Sequence, residues 1–214
     1  GNLLLAIPVL LVIVVLSAVA SGVGLFWRAG AGAFTFETLH RETVEIYGSG
    51  LYANDTAFRA PVLRGADAVI LFIGIPSLVV ALLLYRQRSL HGGILVTGVL
   101  ACFLYDYASL AFGAAYNPFF LVYVALFSAS LFAFVLAFSS IDSAYLAGAI
   151  SPHFPYKGIS VFVFIAGLSP VVWLIDHIAA LTAGSVPANL ASYTTDTTTV
   201  IDIGVIVPAS LLAA

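Results

Sequence analysis

Hydrophobic residues dominate the chain in six long runs that polar breaks separate. The first five runs reach the ~20 residues that a helix needs to cross about 30 Å of hydrocarbon. None of them alternates strictly between polar and apolar positions, as the strands of a membrane barrel do. Only helices and closed barrels can cross lipid, so the pattern predicts spanning helices. The predicted helices cover residues 3–27, 66–85, 93–115, 119–138, 159–183 and 200–214.

The predicted fold class is all-α: a polytopic integral membrane helix bundle of about six transmembrane helices. We expect residues 1–214 to form a single transmembrane domain, and the short sixth run to be a spanning helix cut at Ala214. Between the first two runs lies a long loop, residues 28–65. Within it, FETLHRETVEIY (residues 36–47) places Glu37 and Arg41 four residues apart, which favours a short helix at the membrane surface. The first loop is therefore predicted to be partly helical.

Composition strengthens the membrane prediction and excludes other classes of protein. The chain is 62% hydrophobic and 8% charged, whereas soluble domains carry about 25% charged residues. The expected partner is membrane lipid, with a homo-oligomer or other membrane subunits as further partners. The net charge of −3 and the single lysine, Lys157, exclude a nucleic-acid partner, because phosphate binding needs clustered Lys and Arg. The only cysteine, Cys102, excludes a disulfide within the chain.

The distribution of arginines predicts how the chain is inserted. Arg86 and Arg88 lie in the short break between the second and third runs, and short arginine-rich breaks face the cytoplasm. The long first loop also contains arginines, but it contains several acids as well. We give more weight to density in a short break, which places the first loop outside the cytoplasm. The predicted location is the plasma membrane of a microbe.

Four aspartates fall within or at the border of the apolar runs: Asp67, Asp106, Asp176 and Asp202. Because the chain alternates direction across the membrane, the predicted topology places all four in the same, outer half of the bilayer. An intramembrane acid is a functional-site hypothesis by default. The competing interpretations are an inter-helix hydrogen bond for Asp106 and solvated or helix-dipole positions near helix ends for the others.

Helical spacing suggests which way Asp106 points. Positions four and three residues away along its helix carry small residues, which allow helices to approach closely. We therefore expect Asp106 to face the interior of the bundle. This small-residue stripe is Gly98, Cys102, Asp106, Ser109 and Gly113.

A charge in mid-bilayer costs about 2.5–3.5 kcal/mol, so the acids need protons, counter-charges or a shared cation. The sequence predicts a polar chamber lined by Asp106, Asp176, Asp202 and Asp67, with His177 beside Asp176 as a further ligand. The predicted counter-charges and lid residues are Arg59, Arg64, Glu37 and Arg41.

The remaining motifs give weaker indications of function. Glu37-x-x-His40 has the spacing of di-iron carboxylate bundles, but those need two such motifs, so a solvated helix face is the preferred interpretation. The chain has no HExxH, GxSxG or P-loop motif, and neither a metal nor a cofactor is assigned. Prolines inside apolar runs predict bends at Pro76, Pro170 and Pro208. Tyrosines near the outer side indicate an aromatic belt: Tyr105, Tyr107, Tyr116 and Tyr123, with Trp173.

Three functions remain open from the sequence. The leading hypothesis is a multi-pass protein whose acid-lined chamber binds, senses or transports a cation, a proton or a small polar solute. The second is a non-catalytic subunit of a larger membrane complex, which the lack of strong motifs favours. The third is a membrane-embedded enzyme acting on a lipid-linked substrate. The sequence does not decide whether the chain is an enzyme, but the lack of a visible nucleophile–base or metal constellation favours the first two hypotheses over the third.

Overall fold

The computed structural model describes residues 2–87, 89–151, 153–187 and 190–214. Arg88, on which the predicted orientation partly rests, lies outside the described residues. The described chain is mostly helical with one two-stranded sheet. Its elements are α1 (Asn2–Phe26), β1 (Phe34–Glu37), β2 (Thr43–Ile46), α2 (Arg59–Val69), α3 (Ile75–Arg86), α4 (Leu90–Gly113), α5 (Phe120–Ser139), α6 (Ser143–Ala149), α7 (Tyr156–Leu168), α8 (Trp173–Ala183), α9 (Thr197–Ile201) and α10 (Val207–Ala213).

Five helical stretches of the described chain are long and apolar enough to cross a membrane: Ile7–Phe26, Arg59–Arg86, Leu90–Gly113, Phe120–Ser139 and Tyr156–Ala183. These stretches match the first five predicted runs and fit a multi-pass membrane protein. The sixth predicted run corresponds to a shorter apolar helix, Thr197–Ala213, so a sixth crossing stays a prediction. The second helix begins at Arg59, earlier than the predicted start at residue 66, and its first turns include Arg64.

The predicted helix over residues 36–47 is wrong, because this segment forms the hairpin of β1 and β2. Thr43, Val44 and Ile46 are β-branched, a type that favours strands over helices. The turn between the strands is fixed locally, since the Thr38 hydroxyl accepts hydrogen bonds from the backbone of His40 and Glu42. Glu37 therefore lies in a strand rather than on a helix, and it does not form the predicted helical pair with Arg41.

The helix type changes beside each of the three prolines at which a bend is predicted. Between α2 and α3, residues Ile70–Gly74 form a π-helical turn, in which the Ile75 amide bonds to the Ile70 carbonyl. A second π-helical turn, Asp202–Ile206, precedes α10, and a 3₁₀ turn, Ser169–Val172, joins α7 to α8. Each turn contains a proline or ends two residues before one, and the missing N–H and bulky ring of proline disrupt regular α-helical bonding. The bends themselves stay predictions.

The chain divides into two compact units. The first comprises Gly1–Thr35 with Glu45–Ala149, and the second comprises Phe36–Val44 with Ile150–Ala214. In the first unit α4 packs against α3 and α5, and α1 packs against α2, α3 and α5. Its core contains large side chains from four of these helices, including Leu10, Leu78, Phe103, Tyr107 and Leu126. Close packing of these side chains holds the unit together, because lipid tails are as apolar as the side chains and helix association in a membrane depends on van der Waals contact.

In the second unit α7 packs against α10. Their backbones approach closely where Gly167 lies against Ser210, and a Cβ atom at residue 167 would collide with that serine. Small residues allow such an approach between membrane helices. This contact positions the π-helical turn that carries Asp202, because α10 follows that turn directly.

Candidate functional site

Asp67 is buried within the first unit, with 2% of its surface exposed. It lies in the last turns of α2, before the π-helical turn. The Tyr52 hydroxyl donates a hydrogen bond of 2.7 Å to Asp67 Oδ2. The same oxygen packs against α1 at Gly24, where a Cβ atom would collide with it. The carboxylate is therefore fixed between the first loop and the backbone of α1.

The loop segment that carries Tyr52 is folded onto the helix ends of the first unit by a series of hydrogen bonds. Arg64 donates to the Tyr47 hydroxyl at 2.8 Å and to the Leu25 carbonyl at 2.7 Å. Asp55 Oδ1 accepts a bond of 2.9 Å from the Ala115 amide, in the connection between α4 and α5. Residues 45–58, which we call the loop cap, are thus an ordered part of the first unit.

Electrostatics explain how the two tyrosines of the loop cap behave as partners. Burial, and then the charge of the neighbouring Asp67, raise the pKa of Tyr52 well above its usual value, so its phenol stays protonated and donates. At Tyr47 burial acts in the same direction, but the hydrogen bond from Arg64 and the charges of Arg64 and Arg28 outweigh it and lower the pKa. Tyr52 is therefore a permanent hydrogen-bond donor to Asp67.

Four further hydroxyl groups are buried in the first unit near Asp67. Ser21 of α1 lies beside Asp67 and Tyr107, Tyr107 also faces Ser17, and Tyr123 of α5 faces Tyr52. None of the four reaches hydrogen-bond geometry with a protein group in the described part of the chain. Buried hydroxyls without partners are unusual in folded proteins. We call Asp67, Tyr52 and these four residues the acid–hydroxyl centre.

Asp106 belongs to the same unit, and its charge acts on Asp67. Its side chain is half-buried, and the predicted small-residue stripe faces the core only in part: Gly98 and Cys102 are exposed, Ser109 is half-buried and Gly113 is buried. Most buried positions of α4 carry large residues: Val96, Leu100, Phe103, Tyr107 and Leu110. Large side chains that interlock with neighbouring helices make many dispersion contacts, and such packing stabilises helix association in lipid.

The other predicted acids belong to the second unit. Asp176 is exposed on α8, while Asp202 is 9% exposed and begins a π-helical turn. His177 contacts the carboxylate of Asp196, with Nε2 3.5 Å from Oδ2, and its Nδ1 lies 3.0 Å from the Trp173 carbonyl. Asp196 also caps α9 through Thr199. A chamber that joins these acids to Asp67 and Asp106 stays a prediction.

The predicted counter-charges occupy different places. Arg64 is the one that enters the region of Asp67, but it bonds to Tyr47 and Leu25 and makes no ion pair within the described residues. Arg59 starts α2, and both Glu37 and Arg41 are exposed in the hairpin. Their roles as counter-charges or lid residues stay predictions.

Sequence reasoning missed most hydroxyls of the acid–hydroxyl centre. The predicted aromatic belt is wrong for Tyr107 and Tyr123, because each is 1% exposed and lies in the core. A usable signal was present in α1, where Ser17, Ser21 and Gly24 repeat at helical spacing within an otherwise apolar run. Tyr52 gave no signal, because only the folded loop cap brings it to Asp67.

The donor set limits the chemistry of the site. Among the described residues, no group of three or more His, Cys, Asp or Glu side chains is placed to hold a metal ion. The acid–hydroxyl centre offers one carboxylate surrounded by hydroxyl oxygens, which suits a small cation or a proton.

The chain matches no family model, and no curated protein and no solved structure is significantly similar to it.

Proposed function

We propose that this chain is a multi-pass membrane protein that binds a small cation, the proton included, at the acid–hydroxyl centre. The observation that carries the proposal is the environment of Asp67. Its carboxylate is buried and accepts a hydrogen bond from the Tyr52 phenol, and the nearby Arg64 bonds to Tyr47 and Leu25 instead. A buried carboxylate without a cationic partner carries a large desolvation cost, which a bound proton or cation removes.

The surroundings of Asp67 support binding over a purely structural role. A packing role would be served by the Tyr52 hydrogen bond alone, and the remaining hydroxyls would then be superfluous. Each buried hydroxyl without a partner costs about 1–3 kcal/mol relative to a satisfied one. Four such groups in one unit, three of which interact with Asp67 (Ser21, Tyr107 and Tyr123), favour a site whose oxygen atoms meet a ligand. The loop cap would close this site from the side of the first loop.

Infrared spectroscopy of the protein in lipid tests the proposal. The wild-type protein is exposed to a pH step, and separately to sodium chloride in place of choline chloride. We expect a carboxyl band that responds to one of these changes and that disappears in Asp67→Asn, because asparagine keeps the shape but cannot ionise. Glu45→Gln is the matched control, since Glu45 is an exposed acid of the same unit.

The spectra of the two variants show whether or not Asp67 binds an ion. A band that disappears in Asp67→Asn and persists in Glu45→Gln supports binding at Asp67. Spectra of Asp67→Asn that respond to pH and to sodium as the wild type does would show that this acid binds neither ion. In that case the proposed function is wrong.

A further inference from the structure

Backbone hydrogen bonds fix the register of the hairpin formed by β1 and β2. Near the turn, the Thr38 amide donates to the Glu42 carbonyl at 2.8 Å. At the other end, the Gly32 amide donates to the Gly48 carbonyl at 3.1 Å. Both bonds fit one antiparallel register with no residue inserted between them. Each residue of β1 therefore has a defined partner on β2, and partners share a face of the hairpin.

This register gives the hairpin one apolar and one polar face, since successive residues of a strand point to opposite sides. The apolar face carries Phe34, Phe36, Val44 and Ile46. The polar face carries Thr35, Glu37, Thr43 and Glu45. Ile46 is 5% exposed, but Phe34 and Phe36 are 51% and 50% exposed. The hairpin thus presents two half-exposed aromatic rings on the face opposite its acids.

Hydrogen bonds also attach the hairpin to the ends of two spanning helices. The Ala57 amide, two residues before α2 begins, donates to the Glu45 carbonyl of β2 at 2.8 Å. The Gly50 amide donates to the Ala29 carbonyl at 2.7 Å, three residues after α1 ends at Phe26. The hairpin is therefore joined to the loop cap at the level where α1 leaves the membrane and α2 enters it.

The membrane interface is the apolar surface nearest to the two rings. At about 3.3 Å per residue, Phe34 and Phe36 lie about 7 and 13 Å beyond Gly32 along the hairpin. Phe26 and Trp27, at the end of α1, are 67% and 43% exposed, and aromatic side chains favour the boundary between acyl chains and headgroups. A hairpin that lies along the membrane surface would continue this aromatic zone. A protein partner would first have to be brought to this face, whereas lipid already surrounds the helices to which the hairpin is attached.

We propose that the apolar face of the hairpin docks on the lipid interface of the membrane that the helices cross. Phe34 and Phe36 enter the boundary between acyl chains and headgroups, and Glu37 and Glu45, on the opposite face, stay in water. At the tip, the polar pair Thr38 and Glu42 ends the apolar face at the level of the headgroups. Because β2 is bonded to the loop cap, this docking anchors the loop cap at the membrane surface. The inference rests on the hairpin alone and does not depend on ion binding at Asp67.

Tryptophan fluorescence of the full chain in phosphatidylcholine vesicles tests the docking. The two native tryptophans are replaced in Trp27→Phe and Trp173→Phe, and one tryptophan is then introduced as Phe36→Trp on the apolar face. Thr35→Trp is the matched control, because Thr35 is its exposed neighbour on the polar face. Emission is compared between ordinary lipid and lipid brominated on its acyl chains, and again with acrylamide equilibrated across the vesicles by freezing and thawing. We expect bromine to lower the emission of Phe36→Trp roughly twofold or more and that of Thr35→Trp much less, with the reverse order for acrylamide.

The two quenchers distinguish lipid from water and from protein. Bromine quenching of Phe36→Trp together with acrylamide quenching of Thr35→Trp supports docking by the apolar face. If acrylamide quenches both positions and bromine neither, the hairpin stands in water and the proposal is wrong. If Phe36→Trp is shielded from both quenchers, a second copy or another part of the chain covers the face, which also overturns docking on lipid. Equal bromine quenching at both positions contradicts docking by one face. None of these results changes the infrared test of Asp67.

Discussion

Two residues from different elements, Tyr52 and Gly24, set the environment of Asp67. Tyr52 reaches it from the loop cap through a 2.7 Å hydrogen bond, and Gly24 makes room for its carboxylate on α1. Glycine is needed at position 24 for space rather than for backbone freedom, because the residue lies within a regular helix. A side chain there would displace the acid from the hydroxyls that surround it.

Substitution of Gly24 tests this packing directly. We expect Gly24→Ala to lower the free energy of unfolding by about 1–3 kcal/mol, the usual cost of overpacking a core. Gly22→Ala is the control on the same helix, because a Cβ atom there meets nothing within 4 Å. Alanine in a helix is about 1 kcal/mol more favourable than glycine, so this variant should be neutral or slightly stabilised. Thermal unfolding in detergent measures both, and equal stability of the two variants would contradict the close approach.

At the scale of elements, the loop cap and the helices beside the π-helical turns carry the polar side chains that lie in the interior, among them Tyr52, Asp67 and Asp202. The loop cap turns twice at Gly48 and Gly50, whose φ angles of 72° and 64° favour glycine. One π-helical turn follows Asp67 and the other begins at Asp202, so these two buried acids lie beside a change in helical register. π-Helical turns often occur at functional sites, which agrees with the proposed role of Asp67.

We expect Arg64 to fix the loop cap in place, because its planar guanidinium group donates one hydrogen bond to Tyr47 and another to Leu25. In Arg64→Lys the ammonium group cannot reproduce both bonds in one planar geometry. A hydrogen bond to a charged group contributes about 1.5–3 kcal/mol, so loss of one should speed amide exchange in residues 45–58 by about tenfold or more. Hydrogen exchange followed by mass spectrometry measures this. Arg41→Lys, on an exposed side chain, should leave exchange of the loop cap unchanged.

On the scale of the whole molecule, five apolar helices fit a multi-pass membrane protein. The predicted orientation places the first loop outside and the break between α3 and α4 in the cytoplasm. The proposed site would then lie under the loop cap, in the outer half of the membrane. Partners other than lipid, whether a second copy or other subunits, stay predictions.

Cysteine labelling tests the orientation. In a Cys102→Ser background, single cysteines replace Glu42 in the first loop and His91 in the first turn of α4, both of which are exposed. A membrane-impermeant maleimide should label Glu42→Cys in intact cells and His91→Cys only after the membrane is permeabilised. The reverse pattern would show that the chain is inserted the other way. Labelling of both in intact cells would contradict a crossing by Arg59–Arg86.

The hydrophobic pattern alone determined the helical, membrane-embedded character of the chain, because five of the predicted runs are long apolar helices. Its prolines also mark where the helix type changes, since the backbone consequences of proline are local. It identified Asp67 as a candidate, because a carboxylate in an apolar run is conspicuous without any structure.

Only the tertiary structure decided which polar groups meet. Residues 36–47 form strands because pairing along the hairpin outweighs their helical spacing. Large apolar residues occupy most of the buried face of α4, whereas the stripe of Asp106 is buried only in part, and this orientation of the helix brings Tyr107 inward. Tyr52 reaches Asp67 through the fold of a loop that has no periodic pattern. Periodicity describes one element at a time, whereas the acid–hydroxyl centre depends on the packing of α1, α2, α4, α5 and the loop cap against one another.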